Sequence, residues 1–154
     1  LFSSLVSSFK KDEKQEKILR PPYHKNESIF FTNCKDCEGL CATVCEENII
    51  FIQEDFTPKL DLSFSGCTYC NECAIACPNE VLQVEHKKNI NAKIEIDILN
   101  CLSWNKTMCF SCKDPCLDNA IDFLAMFRPS INSNCTACGF CIKSCPTNAI
   151  KIIS

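Results

Sequence analysis

The chain has 154 residues, a length that suits one domain or two small ones. Its formal net charge of −3 gives no sign of the basic surface that nucleic-acid binding requires. The sequence has no apolar stretch of about 18 residues, no nucleophile–base constellation and no glycine-rich phosphate loop. We therefore predict no membrane span, no nucleic-acid partner, no catalytic residues and no enzyme activity.

Residues 1–27 are predicted to form an N-terminal arm. Apolar side chains recur there at helical spacing, at Leu1, Phe2, Leu5, Val6 and Phe9. Two interpretations stay open for this segment: a partly helical terminal arm, or a docking segment for a partner. The Pro21-Pro22 step ends any helix, because proline has no N–H and fixes φ. No twin-arginine pair or secretory signal pattern is visible, so we expect a cytoplasmic protein.

Four cysteine-rich repeats make up the rest of the chain. All 16 cysteines fall into four runs, whose first members lie 33, 34 and 34 residues apart. Runs one to four are Cys34-Cys37-Cys41-Cys45, Cys67-Cys70-Cys73-Cys77, Cys101-Cys109-Cys112-Cys116 and Cys135-Cys138-Cys141-Cys145. β-prone segments precede the runs at residues 28–31, 59–62, 93–96 and 130–132, and follow them at 51–52, 83–84, 122–123 and 151–152. Each repeat therefore predicts a strand, a cysteine loop, one or two helical turns and a second strand.

The repeats are expected to combine in pairs, because a unit this small cannot bury its apolar face alone. Metal–thiolate binding would add directly to the folding free energy. We predict an α+β fold of tandem bacterial two-cluster ferredoxin-like modules, each with two pseudo-symmetric βαβ-type cluster-binding units. The first module spans residues 28–88 and the second residues 89–154. His24 and His86 lie in polar surroundings and are predicted to be solvated.

The cysteine spacing predicts [4Fe–4S] clusters. Runs two and four have the C-x2-C-x2-C-x3-C-P form that holds cubane clusters. Run one has one extra residue and Glu46 in place of the proline, and run three has a seven-residue gap that contains Trp104. We expect three to four clusters, with four favoured. Disulfides and four-cysteine zinc sites are the alternatives; the close spacing within one loop suits neither.

The fourth ligand of each cluster is expected to come from a different run, as in two-cluster ferredoxins. Pairing adjacent runs gives four ligand sets: Cys34, Cys37, Cys41 and Cys77; Cys67, Cys70, Cys73 and Cys45; Cys101 (or a substitute), Cys109, Cys112 and Cys145; Cys135, Cys138, Cys141 and Cys116. A nested pairing, of run one with run four and run two with run three, uses the same sixteen cysteines and stays open.

Beyond the cysteines, several motifs make the chain similar to one family. They are Arg20-Pro21-Pro22-Tyr23, the irregular run three with Cys109-Phe110-Ser111-Cys112, Arg128-Pro129, and Cys138-Gly139-Phe140-Cys141. From about Arg20 to Ile150 the sequence resembles the NapF family, ferredoxin-type accessory proteins encoded with the periplasmic nitrate reductase. The resemblance implies a cytoplasmic protein with several [4Fe–4S] clusters. It also implies contact with the catalytic molybdenum subunit before export, in the maturation of that subunit. The alternative function is an electron-transfer subunit of a membrane-linked or periplasmic oxidoreductase.

Overall fold

The computed structural model describes residues 17–154, and the apolar repeat predicted for residues 1–9 lies outside them. Within residues 17–154 the chain forms four short α-helices, one 3-10 helix and six strands. In chain order they are α1 (Ser28–Asn33), α2 (Leu40–Thr43), β1 (Ile50–Ile52), β2 (Pro58–Leu60), α3 (Glu72–Ile75), the 3-10 helix (Val84–His86), β3 (Lys93–Ile96), β4 (Ile121–Leu124), β5 (Phe127–Ile131), α4 (Phe140–Ser144) and β6 (Ile150–Ile153). None of the helices in this part of the chain has the length and apolarity needed to cross a membrane.

The strands form three antiparallel pairs, each joining two different repeats. In β1–β2, Ile50 lies opposite Leu60, and in β4–β5, Ile121 lies opposite Ile131. Both pairs join the strand after one cysteine run to the strand before the next. The third pair, β3–β6, joins the strand before run three to the strand after run four. Each pair lies within residues 28–88 or within residues 89–154, while the module boundaries themselves stay a prediction.

The same two positions are buried in every repeat. Four and five residues after the last cysteine of each run come apolar side chains that are at most 7% exposed: Ile49 and Ile50, Val81 and Leu82, Ala120 and Ile121, Ala149 and Ile150. The residue before them has a left-handed backbone in every repeat, with φ of 53° at Asn48, 52° at Glu80, 48° at Asn119 and 52° at Asn148. Asparagine tolerates this conformation better than most residues. The backbone therefore confirms the 33- to 34-residue repeat, but the helical turn predicted between the third and fourth cysteines of run three is wrong, because turns replace it there.

The strand predicted at residues 28–31 is wrong, because this segment is the helix α1. The Asn26 side chain accepts hydrogen bonds from Ser28 Oγ at 2.7 Å and from Ile29 N at 3.2 Å, which supports a turn of helix. Strand pairing at this edge involves Tyr23 and His24 instead: His24 forms a single bridge with Leu82, and Gln83 N donates to Tyr23 O at 2.8 Å. The strand predicted at residues 83–84 is also wrong, since the 3-10 helix begins at Val84.

Residues 20–24, in the predicted arm, are buried against the first half of the molecule. The Arg20 guanidinium donates to Thr57 Oγ1 at 2.8 Å and to Pro58 O at 2.6 Å, and lies 5.0 Å from the centre of the Phe30 ring. The predicted solvation of His24 is wrong: its ring is 4% exposed, lies 5.0 Å from that of Phe30, and has Nδ1 2.7 Å from Pro21 O. Burial lowers the pKa of His24.

Candidate cluster-binding sites

Site one is a cavity lined by three cysteines of run one and one of run two. They are Cys34, Cys37, Cys41 and Cys77. The rest of the lining comes mainly from apolar residues that include Pro58, Val81 and Leu82. Burial first, and then the nearby Cys77 and Cys37, raise the pKa of Cys34 to about 11. The last cysteine of run two therefore faces the first three of run one.

Site two is the reciprocal cavity. Its cysteines are Cys45, from run one, and Cys67, Cys70 and Cys73, from run two. Pro21, Pro22 and Tyr23 also line it, so the buried segment 20–24 covers this site. Cys45 and Cys77 thus each line the cavity whose other three cysteines belong to the opposite run.

Site three takes its thiols from Cys101, Cys109, Cys112 and Cys145. The seven-residue gap of run three folds into turns beside it. Ser103 is buried and its Oγ donates to Cys109 O at 2.9 Å, while Trp104 Nε1 donates to Pro129 O at 3.1 Å. These two bonds hold the inserted loop in place, so the long gap still leaves Cys101 beside the other three cysteines.

Site four gathers around Cys141. Burial first, and then its neighbours Cys138, Cys135 and Cys116, raise the pKa of Cys141 to about 12. Ala120 N lies 3.3 Å from Cys116 Sγ, the thiol that run three contributes. The four sites thus bring together the cysteines of adjacent runs, in the same sets as the adjacent pairing expects. Their role as cluster ligands stays a prediction.

The third cysteine of each run is buried in its site. Cys41, Cys73 and Cys141 are each the second residue of a short helix and are at most 9% exposed. Burial, followed by the neighbouring cysteines, raises the pKa of Cys41 and of Cys73 to about 12. The cluster-free fold therefore holds these thiols protonated at neutral pH. Cluster binding would release their protons and replace the S–H bonds with bonds to iron.

The last cysteine of three runs accepts a backbone hydrogen bond. Leu82 N lies 3.5 Å from Cys77 Sγ, and Ala149 N lies 3.2 Å from Cys145 Sγ. Ala120 N lies 3.3 Å from Cys116 Sγ. Burial alone would raise the pKa of Cys145, but the N–H groups of Thr147 and Ala149 lower this pKa below its usual value. Such donors stabilise a thiolate ligand. The left-handed residue after each run turns the backbone so that these N–H groups face the sulfur.

In sites one, two and three the thiols line cavities rather than converging on a point. All sixteen cysteines are free thiols. Within residues 17–154, no three His, Cys, Asp or Glu side chains lie close enough together to hold one metal ion. Four thiols around an enclosed, mostly apolar cavity with N–H groups facing the sulfurs suit a cubane cluster.

Arg20 is a site residue for which the sequence predicts no role. Its buried guanidinium is close enough to Cys34 to favour the thiolate there, against the larger effect of burial. In the sequence, the Arg20-Pro21-Pro22 motif indicates only a family resemblance and the end of a helix. The burial of Arg20 beside Cys34 could be predicted from the sequence only if the burial of Phe30, whose ring Arg20 contacts, were known.

Comparison with known proteins gives two matching family models. A 4Fe-4S dicluster domain matches residues 33–81, with runs one and two, and a 4Fe-4S binding domain matches residues 130–151, with run four. The chain accordingly binds several [4Fe–4S] clusters, and the two matches fit tandem ferredoxin-like modules.

Several curated proteins are similar over most of the chain. Ferredoxin-type protein NapF of Escherichia coli (strain K12) is 33% identical over 137 residues, which cover 86% of this chain and 82% of that protein. The NapF protein of Haemophilus influenzae (strain ATCC 51907 / DSM 11121 / KW20 / Rd) is 33% identical over 155 residues, 97% of this chain and 87% of that protein. Ferredoxin-type protein NapG of E. coli (strain K12) is 29% identical over 162 residues, 88% of this chain and 70% of that protein.

Proposed function

The chain belongs to the NapF family of ferredoxin-type proteins, and from that premise we propose that it is an accessory protein of the periplasmic nitrate reductase. In this role it binds the catalytic molybdenum subunit in the cytoplasm and assists its maturation before export. The observation that carries the proposal is the likeness to NapF proteins over 86% and 97% of the chain.

Four clusters, one in each site, are part of the proposal. A bound [4Fe–4S] cluster supplies one-electron transfer, or iron and sulfide for transfer to an acceptor. The residues of the chain hold the thiols at fixed positions, exclude water from the third cysteine of each run, and direct N–H groups at Cys77, Cys116 and Cys145. The negative charge of four bound clusters would favour a partner with a basic docking surface.

An electron-transfer subunit of a membrane-linked or periplasmic oxidoreductase is the second candidate. The observation that favours it is the burial of Cys41, Cys73 and Cys141, because ligands enclosed in this way oppose the loss of a cluster. Cys70 in site two is exposed, and this favours release of that cluster to an acceptor. The two candidates therefore differ in whether any cluster is labile.

The test is deletion of this protein, followed by anaerobic purification of the unexported catalytic subunit. We expect that subunit to lose iron–sulfur content and nitrate reductase activity, and to regain both when the wild-type chain is restored. A chain with Cys37→Ala and Cys70→Ala, which lacks a ligand in sites one and two, should restore less. Unchanged cluster content and activity in the deletion strain, under every growth condition, would exclude the maturation role. Fast reversible reduction by a quinol-linked partner would then favour the second candidate.

A further inference from the structure

The half of the molecule that contains runs one and two meets the half that contains runs three and four at two cysteine loops, through their backbones. Cys67 N donates a hydrogen bond to Cys138 O at 2.7 Å. Beside it, Tyr69 Oη donates to Thr136 O at 2.6 Å and accepts from Ile90 N at 3.1 Å. Cys67 lies in site two and Cys138 in site four, so this contact joins one site of the first half to one site of the second.

Two of the three glycines in the chain lie at this contact. A Cβ on Gly66 would lie 2.7 Å from Cys138 O and 2.7 Å from the Phe140 ring. A Cβ on Gly139, which has φ of +91°, would lie 2.9 Å from Leu62 Cβ. Both positions thus need a residue without a side chain for the halves to approach this closely. We call these residues together the junction: Leu62, Gly66, Cys67, Tyr69, Thr136, Cys138, Gly139 and Phe140.

Within each half, the exchange of the fourth cysteine already makes two sites neighbours. Cys41 in site one and Cys45 in site two are only one helical turn apart in the chain, and so are Cys73 and Cys77. The same spacing relates Cys141 in site four to Cys145 in site three. The order of the four sites then depends on which site of the first half lies next to which site of the second half.

We propose that the junction makes sites two and four the inner pair, so that the four sites follow the spatial order one, two, four, three. The order of the cysteine runs along the chain would instead place site two next to site three. Tyr69 is a positioning residue in this arrangement, since it extends from the loop of site two to the loop of site four. This inference rests on the four ligand sets proposed above and is independent of the nitrate reductase role.

The consequence for partners is that sites one and three lie at the two ends of the row. A protein docking at either end meets one of these outer sites first, and these are the sites formed by the two irregular cysteine runs. The two runs that match the C-x2-C-x2-C-x3-C-P form supply most ligands of the inner pair.

The test uses two variants of the full chain that each keep two clusters. Cys37→Ala with Cys109→Ala leaves sites two and four, and Cys37→Ala with Cys138→Ala leaves sites two and three. Iron is counted first, with about eight irons expected in each variant. Electron paramagnetic resonance of the reduced proteins then reports spin–spin interaction between the remaining clusters. We expect clear broadening from the pair in sites two and four, and its loss in the pair in sites two and three.

Absence of broadening from the pair in sites two and four, or equal broadening in both variants, would overturn the proposed order. Gly66→Ala, added to the variant with sites two and four, should weaken the interaction by separating the halves. Gly39→Ala is the control: its Cβ would lie 2.7 Å from Ile52, as close a contact as at Gly66, but within the first half. The control should leave the interaction unchanged.

Hydrogen–deuterium exchange on the unmutated, cluster-loaded protein gives a measurement that does not depend on the variants folding. The amide of Cys67 should exchange slowly because its N–H is bonded to Cys138 O. Fast exchange of this amide, with slow exchange at Asp61 N, which bonds to Ile49 O within the first half, would show that the junction does not form in solution.

Discussion

Replacing Cys77 with alanine removes the thiol that run two contributes to site one. Cys77 lines the same cavity as Cys34, Cys37 and Cys41, while the other three cysteines of its own run line site two with Cys45. With about four irons in each of four sites, the loss of site one should reduce the iron content by about a quarter, from about sixteen to about twelve per chain. Site two keeps all four thiols and should keep its cluster.

A pair of double variants identifies which site is lost. Cys77→Ala with Cys37→Ala removes two ligands of the same proposed site, so the iron content should stay at about twelve. Cys77→Ala with Cys70→Ala removes ligands from two sites and should leave about eight irons. Anaerobic iron and sulfide analysis of both proteins is the assay, since Cys37 and Cys70 are the second cysteines of their runs and serve as matched positions. The reverse pattern, with about eight irons in the first and about twelve in the second, would refute the exchange of ligands.

Three further predictions concern stability. Glu80→Asn should raise the free energy of unfolding of the loaded protein by roughly 0.5–1 kcal/mol, because the other three repeats have asparagine at this left-handed position. Asn148→Glu, the opposite replacement, should lower the free energy of unfolding. Urea titrations with equal midpoints would contradict this reason. Arg20→Leu should cost about 2–3 kcal/mol in the same titration through the lost bonds to Thr57 and Pro58, whereas Arg128→Leu, at the exposed second arginine of the chain, should change the midpoint little. Stripping the clusters with a chelator and oxidant should lower the thermal midpoint and reduce the circular dichroism signal, since cluster binding adds to folding free energy; a stripped protein that melts like the loaded one would contradict that contribution.

The cysteine spacing carried most of the information about the sites. It predicted four quartets, and the structure places together the sets expected from adjacent runs, including Cys101 across its seven-residue gap. A local pattern suffices here because three thiols of each site lie on one short loop. Assigning the fourth cysteine of each site needs only one further assumption, that neighbouring repeats pack against each other.

Contacts between distant segments could not be predicted in this way. The sequence Ser28-Ile29-Phe30-Phe31 favours a strand locally, yet Phe30 is fully buried beneath Arg20 and His24 in a helix. The same packing buries a histidine that its polar neighbours in sequence suggested was solvated. The importance of Gly66 was equally hidden, because it depends on Cys138, about half the chain length away.

The most direct measurement of the central claim is anaerobic iron and acid-labile sulfide analysis of the unmutated chain, with a visible spectrum of the same sample. Four sites formed by exchanged cysteines predict about sixteen irons and about sixteen sulfides per chain, and a brown protein with broad absorbance at about 400 nm. A colourless protein containing zinc, or a stable content of about eight irons with the remaining cysteines unligated, would contradict the account.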